Sequence, residues 1–179
     1  MKPKTRVIVA DDHPLVRKGI IATLASEADL EVIGEAVDGL GAQSLGKKLQ
    51  PDVLLLDLNM PGSSALETVA IIREQSPQTR IVILTAFDDL SSVRHMISAG
   101  VMGYLLKEEA LTVVVQAIRT VMQGGKWFSE PVLMKLVNKS PEDLFALNRY
   151  VALNEREIQL LKLMAQGHSD YEIGQVLGL

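Results

Sequence analysis

Read for its apolar and polar positions, the chain changes character near residue 124. Before that point short apolar runs alternate with longer amphipathic stretches. Residues 6–10 (RVIVA), 30–36 (LEVIGEA), 53–57 (VLLLD), 80–86 (RIVILTA) and 103–107 (GYLLK) predict strands. Residues 14–27, 39–49, 65–75, 91–99 and 111–123 predict helices between and after them. In the first helix Pro14 suits the opening turn, and Leu15, Ile20, Ile21 and Leu24 are expected to face inward. The second helix is diluted by glycines. Five βα units whose strands are apolar on both faces predict an α/β fold, a doubly wound five-stranded parallel sheet with helices on both sides.

After residue 124 the periodicity breaks. GGKWFSEP is turn-rich, and Trp127 with Phe128 is expected to anchor the connection to the sheet domain. Pro131 suits the first turn of a short helix over 131–139, and SPEDLFALNRY reads as a linker. In the last stretch, Asn154 with Glu157 and Ser169 with Glu172 each fit a helix N-cap followed three residues later by glutamate. Gly167 lies between them, so a helix, a tight turn and a second helix are expected. The predicted organisation is a domain over 1–124, a linker with a short helix over 125–150, and a small incomplete all-α segment over 151–179.

The candidate chemistry lies where the strands end. In a parallel sheet of this kind ligands bind outside the carboxyl ends of the strands. Those ends are Asp11 and Asp12, Asp57, Thr85 and Lys107. Taken singly, each has a plain reading: a loop or helix cap, ordinary β-propensity, a solvated edge. Together they share one rim. Three carboxylates brought together repel and call for a cation. Mg2+, which keeps several waters and takes one or two carboxylates plus a phosphate, fits that need. A lysine and a hydroxyl are what a phosphoryl group requires beside it. The set reads as a device for placing a phosphoryl group on a carboxylate.

Charge and composition narrow the picture. The net charge of −4 gives no global electrostatic case for nucleic-acid binding. There are no cysteines, which excludes disulfides and thiolate metal sites and suits a reducing cytoplasm. The amino terminus has too short an apolar run for a secretory signal, and no segment reaches the ~20 apolar residues that span a bilayer. GLGAQS (39–44) is a near miss to a dinucleotide fingerprint and is read as a glycine-rich helix start. His13, beside two acids, is a possible metal ligand, but with no histidine cluster it is read as an exposed helix-start residue.

VADDHP, LLLDLNMPG, ILTA and YLLKE, in this order and spacing, resemble the receiver domain of bacterial two-component response regulators. The resemblance covers the first ~124 residues and implies a flavodoxin-like fold. It implies that Asp57 is the phosphoacceptor and belongs to the metal site, that Asp12 ligates Mg2+ directly, that Asp11 helps through water, and that the Asn59 carbonyl completes the protein's share of the shell. Lys107 would pair with the phosphoryl group and Thr85 would hydrogen-bond it. Tyr104 would change rotamer as Thr85 moves. Many receivers have proline after this lysine; here it is Glu108, as is common in receivers attached to LuxR-type domains. The implied phosphate donor is a sensor histidine kinase. A homodimer is implied through the first and fifth helices, or through the face of the fourth helix, fifth strand and fifth helix.

LNEREIQLLKLMAQGHSDYEIGQVLGL resembles the opening half of a LuxR-type helix-turn-helix domain, with Glu157, Gly167, Glu172 and Ile173 at the family's positions. Gly174 stands where a small residue, usually alanine, is expected. The sequence stops before the recognition helix, and the tail is net acidic, so DNA binding is expected of a complete protein and not of this fragment. Two rivals stay open. One is a phospho-dependent adaptor or phosphate sink that does not bind DNA. The other is an aspartyl-phosphate hydrolase, disfavoured because no acid follows two residues after Asp57. The leading expectation is a switch controlling transcription, not a turnover enzyme.

Overall fold

A computed structural model of the chain describes residues 3–86, 90–137, 159, 163, 168 and 170–177. It divides into two units, Met1–Trp127 and Phe128–Leu179. In the first, strands β1 (Thr5–Ala10), β2 (Leu30–Ala36), β3 (Val53–Asp57), β4 (Arg80–Thr85) and β5 (Gly103–Leu106) alternate with helices α1 (Pro14–Ala25), α2 (Gly39–Leu49), α3 (Ala65–Gln75), α4 (Leu90–Ser98) and α5 (Lys107–Met122). Among the described residues the sheet order is β2-β1-β3-β4-β5-β6, where β6 is the pair Trp127–Phe128. Every pairing from β2 to β5 is parallel. Two residues are too short a run for periodicity to reveal, which is why five strands were expected.

The strands are apolar on both faces because both are covered. Val53 to Leu56 are fully buried, as are Val7 to Ala10 and Val82 to Leu84. One layer of core joins Val7, Val9, Leu55, Leu84 and Leu105 to Ile20 and Leu24 of α1 and to Val114, Ala117, Ile118 and Val121 of α5. Trp127 packs against this cluster, and its backbone N–H donates to the Met102 carbonyl at 3.0 Å. Leu15 corrects the reading of α1: it is 87% exposed, because the inward stripe runs through Val16, Ile20 and Leu24 at helical spacing and leaves Leu15 off it.

The glycines of α2 serve packing. A Cβ on Gly46 would fall 2.2 Å from Ile72 Cδ1, and one on Gly39 would fall 2.5 Å from the Ser63 carbonyl oxygen. Asp38 caps this helix by accepting from the Gly41 N–H at 2.6 Å, while the Gly39 N–H donates to the Pro61 carbonyl. These amides have protein partners, which accounts for the glycines without a dinucleotide.

Helix α5 begins at Lys107, four residues earlier than the pattern indicated, so this lysine opens a helix instead of closing a strand. Glu108 and Glu109 in its first turn complement the helix dipole there. In the second unit, α6 (Glu130–Val137) starts on the Ser129 carbonyl, which accepts from Val132 and Leu133. Helix α7 (Asp170–Leu177) carries an exposed Glu172. The linker over 140–150, Asn154, Glu157, Gly167 and Ser169 lie outside the described residues, as does the loop at 87–89. Among the described residues no helix is long and apolar enough to cross a membrane.

Candidate functional site

The register of the sheet assembles the rim. Ala10 pairs with Leu56, so Asp11 and Asp57, each one residue further on, emerge side by side. Asp57 pairs with Leu84, and Thr85 with Leu106, which brings Thr85 and Lys107 to the same edge. The order β2-β1-β3 reverses direction between β1 and β3, the switch point where such sheets bind ligands. The residues singled out from strand ends therefore share one end of the sheet.

Asp11 and Asp57 are buried, although burial of a charge is costly unless it is paired. Lys107 reaches both: its Nζ donates to Asp57 Oδ2 at 2.7 Å and lies 2.9 Å from Asp11 Oδ2. The Asn59 N–H donates to Asp57 Oδ1 at 3.2 Å, and the His13 N–H to Asp11 Oδ1 at 2.7 Å. Arg17 Nη1 donates to the Asp11 carbonyl at 2.6 Å and its Nε faces Glu35 at 3.3 Å, fixing the start of the β1–α1 loop. Asp12 is one-third exposed. Thr85 and Tyr104 are fully buried.

Burial pushes the Asp57 carboxyl above the usual carboxylate range. The hydrogen bonds from Lys107 and Asn59 and the ammonium charge pull the other way, the Asp11 charge adds to the rise, and burial prevails. For Lys107 burial is also the largest single influence and favours the neutral amine. The hydrogen bonds and charges of Asp57 and Asp11 together outweigh it, holding the ammonium above its ordinary value.

Three carboxylates and one ammonium leave two formal negative charges, which a divalent cation would balance. The donors fit one. Single atoms of Asp11, Asp12, His13 and Asp57 all lie within 4.8 Å of one another. Asp11 Oδ2 and Asp12 Oδ1 are buried atoms whose neighbours are nitrogens, Lys107 Nζ at 2.9 Å from the first and His13 Nδ1 at 2.7 Å from the second. Oxygen-rich, acidic and partly open to solvent, the cluster suits a hard ion that keeps several waters.

His13, weighed in the sequence as a metal ligand and read as an exposed helix-start residue, is the exposed N-cap of α1 and yet lies against the acids. Its ring reaches back over the acids, with Nδ1 2.7 Å from Asp12 Oδ1 and 3.3 Å from Lys107 Nζ. The available signal was Pro14, which restricts the residue before it to extended backbone, here φ −85° and ψ 108°.

Residues 7–119 match the response regulator receiver domain family. The nitrate/nitrite response regulator protein NarP of Escherichia coli is 40% identical over 178 residues, covering 97% of this chain and 80% of NarP. The oxygen regulatory protein NreC of Staphylococcus epidermidis is 36% identical over 179 residues, covering 96% and 82%. Among solved structures, the signal receiver domain of the response regulator NarL from Mycobacterium tuberculosis is similar with a TM-score of 0.65 and 38% identity, over 68% of this chain and 98% of that one. The buried aspartate–lysine rim thus stands on a sheet and in a sequence of known kind: the chain belongs to the response regulators of two-component systems and carries their receiver domain.

Proposed function

We propose that Asp57 is the residue that accepts the phosphoryl group, from the phosphohistidine of a sensor histidine kinase in the cytoplasm. The observation that carries this reading is a buried carboxylate held 2.7 Å from Lys107 Nζ, beside two further acids at the switch point of the sheet. One Asp57 oxygen attacks phosphorus, the P–N bond to the kinase histidine breaks, and that imidazole leaves with the electron pair. Lys107 exchanges its Asp57 oxygen for a phosphoryl oxygen, and the Thr85 hydroxyl donates to another. Asp12 directly, Asp11 through water, Asp57 and the Asn59 carbonyl are the residues that would hold Mg2+. When bound, the ion supplies charge that offsets the carboxylates and the incoming phosphate.

Phosphorylation adds nearly two negative charges at the rim. Movement of Thr85 toward them, with a rotamer change at Tyr104, shifts the population between two arrangements of the rim and its neighbouring helices. Dimerisation through α1 and α5 is the output that the surface supports best. Leu15 and Leu111 are exposed at the starts of these two helices, and Leu111 Cδ2 lies 3.1 Å from where a Gly19 Cβ would stand. We infer a receiver over 1–124, a linker over 125–150 and a LuxR-type segment over 151–179, so that the dimer controls transcription through DNA binding in a complete protein.

The test is intact mass after incubation with acetyl phosphate and Mg2+, beside Asp57→Asn. A single phosphoryl adduct in the wild-type chain, absent from the variant and absent without metal, is the expected result. An adduct that survives in Asp57→Asn would place the acceptor elsewhere.

A further inference from the structure

The rim holds one side chain that this reading leaves unused. We propose that His13 is a nitrogen ligand of the rim cation, and that it tilts the site from Mg2+ toward divalent ions of the Fe2+ to Zn2+ series. The proposal rests on the cation-binding part of the reading above and adds a ligand to it.

Geometry carries the argument. His13 Nδ1 lies 2.7 Å from Asp12 Oδ1, 3.4 Å from Asp11 Oδ1 and 3.9 Å from Asp57 Oδ2. Donors bound to one ion at about 2.1 Å stand about 3 Å apart at right angles and about 4.2 Å apart when opposite. Each of the three separations comes within a few tenths of an ångström of one of those two distances. Lys107 Nζ lies 3.3 Å from the same nitrogen and 2.7 and 2.9 Å from Asp57 and Asp11, so ring and carboxylates already converge on positive charge.

The ring is turned inward although solvent is open to it, since the side chain is 61% exposed. It is not committed elsewhere. His13 is the N-cap residue of α1, yet its side chain makes no capping hydrogen bond. Its backbone is fixed from both sides: Pro14 restrains it to the extended region, and its own N–H is held by Asp11 Oδ1. A ligand placed in this way loses little freedom when an ion arrives.

Chemistry sets the direction of the selectivity. Mg2+ prefers oxygen donors and gives up its waters reluctantly, so a single imidazole adds little for it. For Fe2+ through Zn2+ an imidazole nitrogen is a favoured ligand. Removal of the ring should therefore weaken the two kinds of ion unequally.

The experiment titrates the full chain with Co2+ alone and with Mg2+ alone by calorimetry, for wild type, His13→Ala and His13→Gln. X-ray absorption at the cobalt edge is recorded for each. Both variants are expected to lose affinity for Co2+ by on the order of tenfold, the scale on which ligand-shell losses act, and by less than about twofold for Mg2+. The outer-shell scattering of an imidazole should be present in the wild-type cobalt spectrum and absent from both variants. Equal losses for the two ions, or a wild-type spectrum with oxygen scattering alone, would overturn the assignment. Acetyl phosphate labelling of Asp57 with Mg2+ that succeeds while Co2+ affinity ignores the substitution removes His13 and leaves the phosphoacceptor reading standing. Binding of neither ion by the wild-type chain overturns His13 and the cation reading together.

Discussion

The sheet buries polar groups at both of its ends, and the two sets differ in kind. At the amino ends of β3 and β4, Ser76 Oγ and Thr79 Oγ1 lie 2.7 Å apart and Thr79 Oγ1 donates to the Pro51 carbonyl at 2.7 Å. The Arg6 N–H meets Asp52 Oδ2, and the Arg80 N–H meets the Asp52 carbonyl. Ser76 and Thr79 are neutral, buried and partnered. At the carboxyl ends the groups are charged, with more negative than positive, and the carboxylates of Asp11 and Asp57 share the one ammonium of Lys107. Satisfied polar networks specify a fold at little cost, whereas surplus buried charge opposes it. One end of the sheet is built for folding alone; the other gives up stability for something that binds.

The largest expected effect sets a scale for this contrast. Leu56→Ala empties a fully buried site next to Asp57 and should cost about 2–5 kcal/mol in urea unfolding. Thr79→Val comes next. It strands the Pro51 carbonyl and one hydroxyl partner in a buried place, at about 1–3 kcal/mol. A neutral result there would mean that water replaces the lost partner and that the amino end is less closed than its burial indicates.

Asp57→Asn should move stability the other way, by less. The folded state holds the Asp57 proton to higher pH than the unfolded chain does, because burial raises this carboxyl. Stability from this group is therefore intact below the ordinary carboxylate range and falls as pH rises toward the raised value. The variant lacks that loss. In chelator, the two melting curves should converge at acid pH and separate toward neutrality, with Asp57→Asn the higher. A variant that melts lower at pH 7 would show that the Lys107 pairing outweighs burial, and the rim would then resemble the other end of the sheet.

How far these ends can be read without coordinates follows from what each depends on. Asp11, Asp57, Thr85 and Lys107 are legible because an apolar run of strand length, repeated with helices between, puts their ends at one edge whatever the side chains do. His13 is not, since no periodicity reports which way a ring turns. Leu15 misleads for a related reason: Leu15 and Val16 are adjacent apolar residues, and only packing shows that the inward stripe takes Val16 and leaves Leu15 exposed. The hydroxyl network at Ser76 and Thr79 joins two loops through a contact with Pro51 that sequence spacing does not reveal. The glycines of α2 look like weakness until Ile72 and Ser63 are seen against them.

The smallest effect on folding tests the rim most directly. Among the described residues of Met1–Trp127, the large apolar side chains that stand exposed are Leu15, Val37, Leu40, Leu66 and Leu111. Each follows the carboxyl end of a strand, at or near the start of a helix, so apolar surface gathers at the same end as the surplus charge. Leu15→Ser should change monomer stability by no more than about 0.5 kcal/mol, as surface substitutions do. If α1 and α5 form the dimer face, the same substitution should weaken association of the chain phosphorylated with acetyl phosphate, read by sedimentation equilibrium. Leu111→Ser, across the Gly19 contact, should do the same. Unchanged association with slower phosphate transfer from a histidine kinase would assign the patch to the donor instead. Either result separates the two ends of the sheet again: substitutions at the amino end register in folding, and those on the rim register in what the molecule meets.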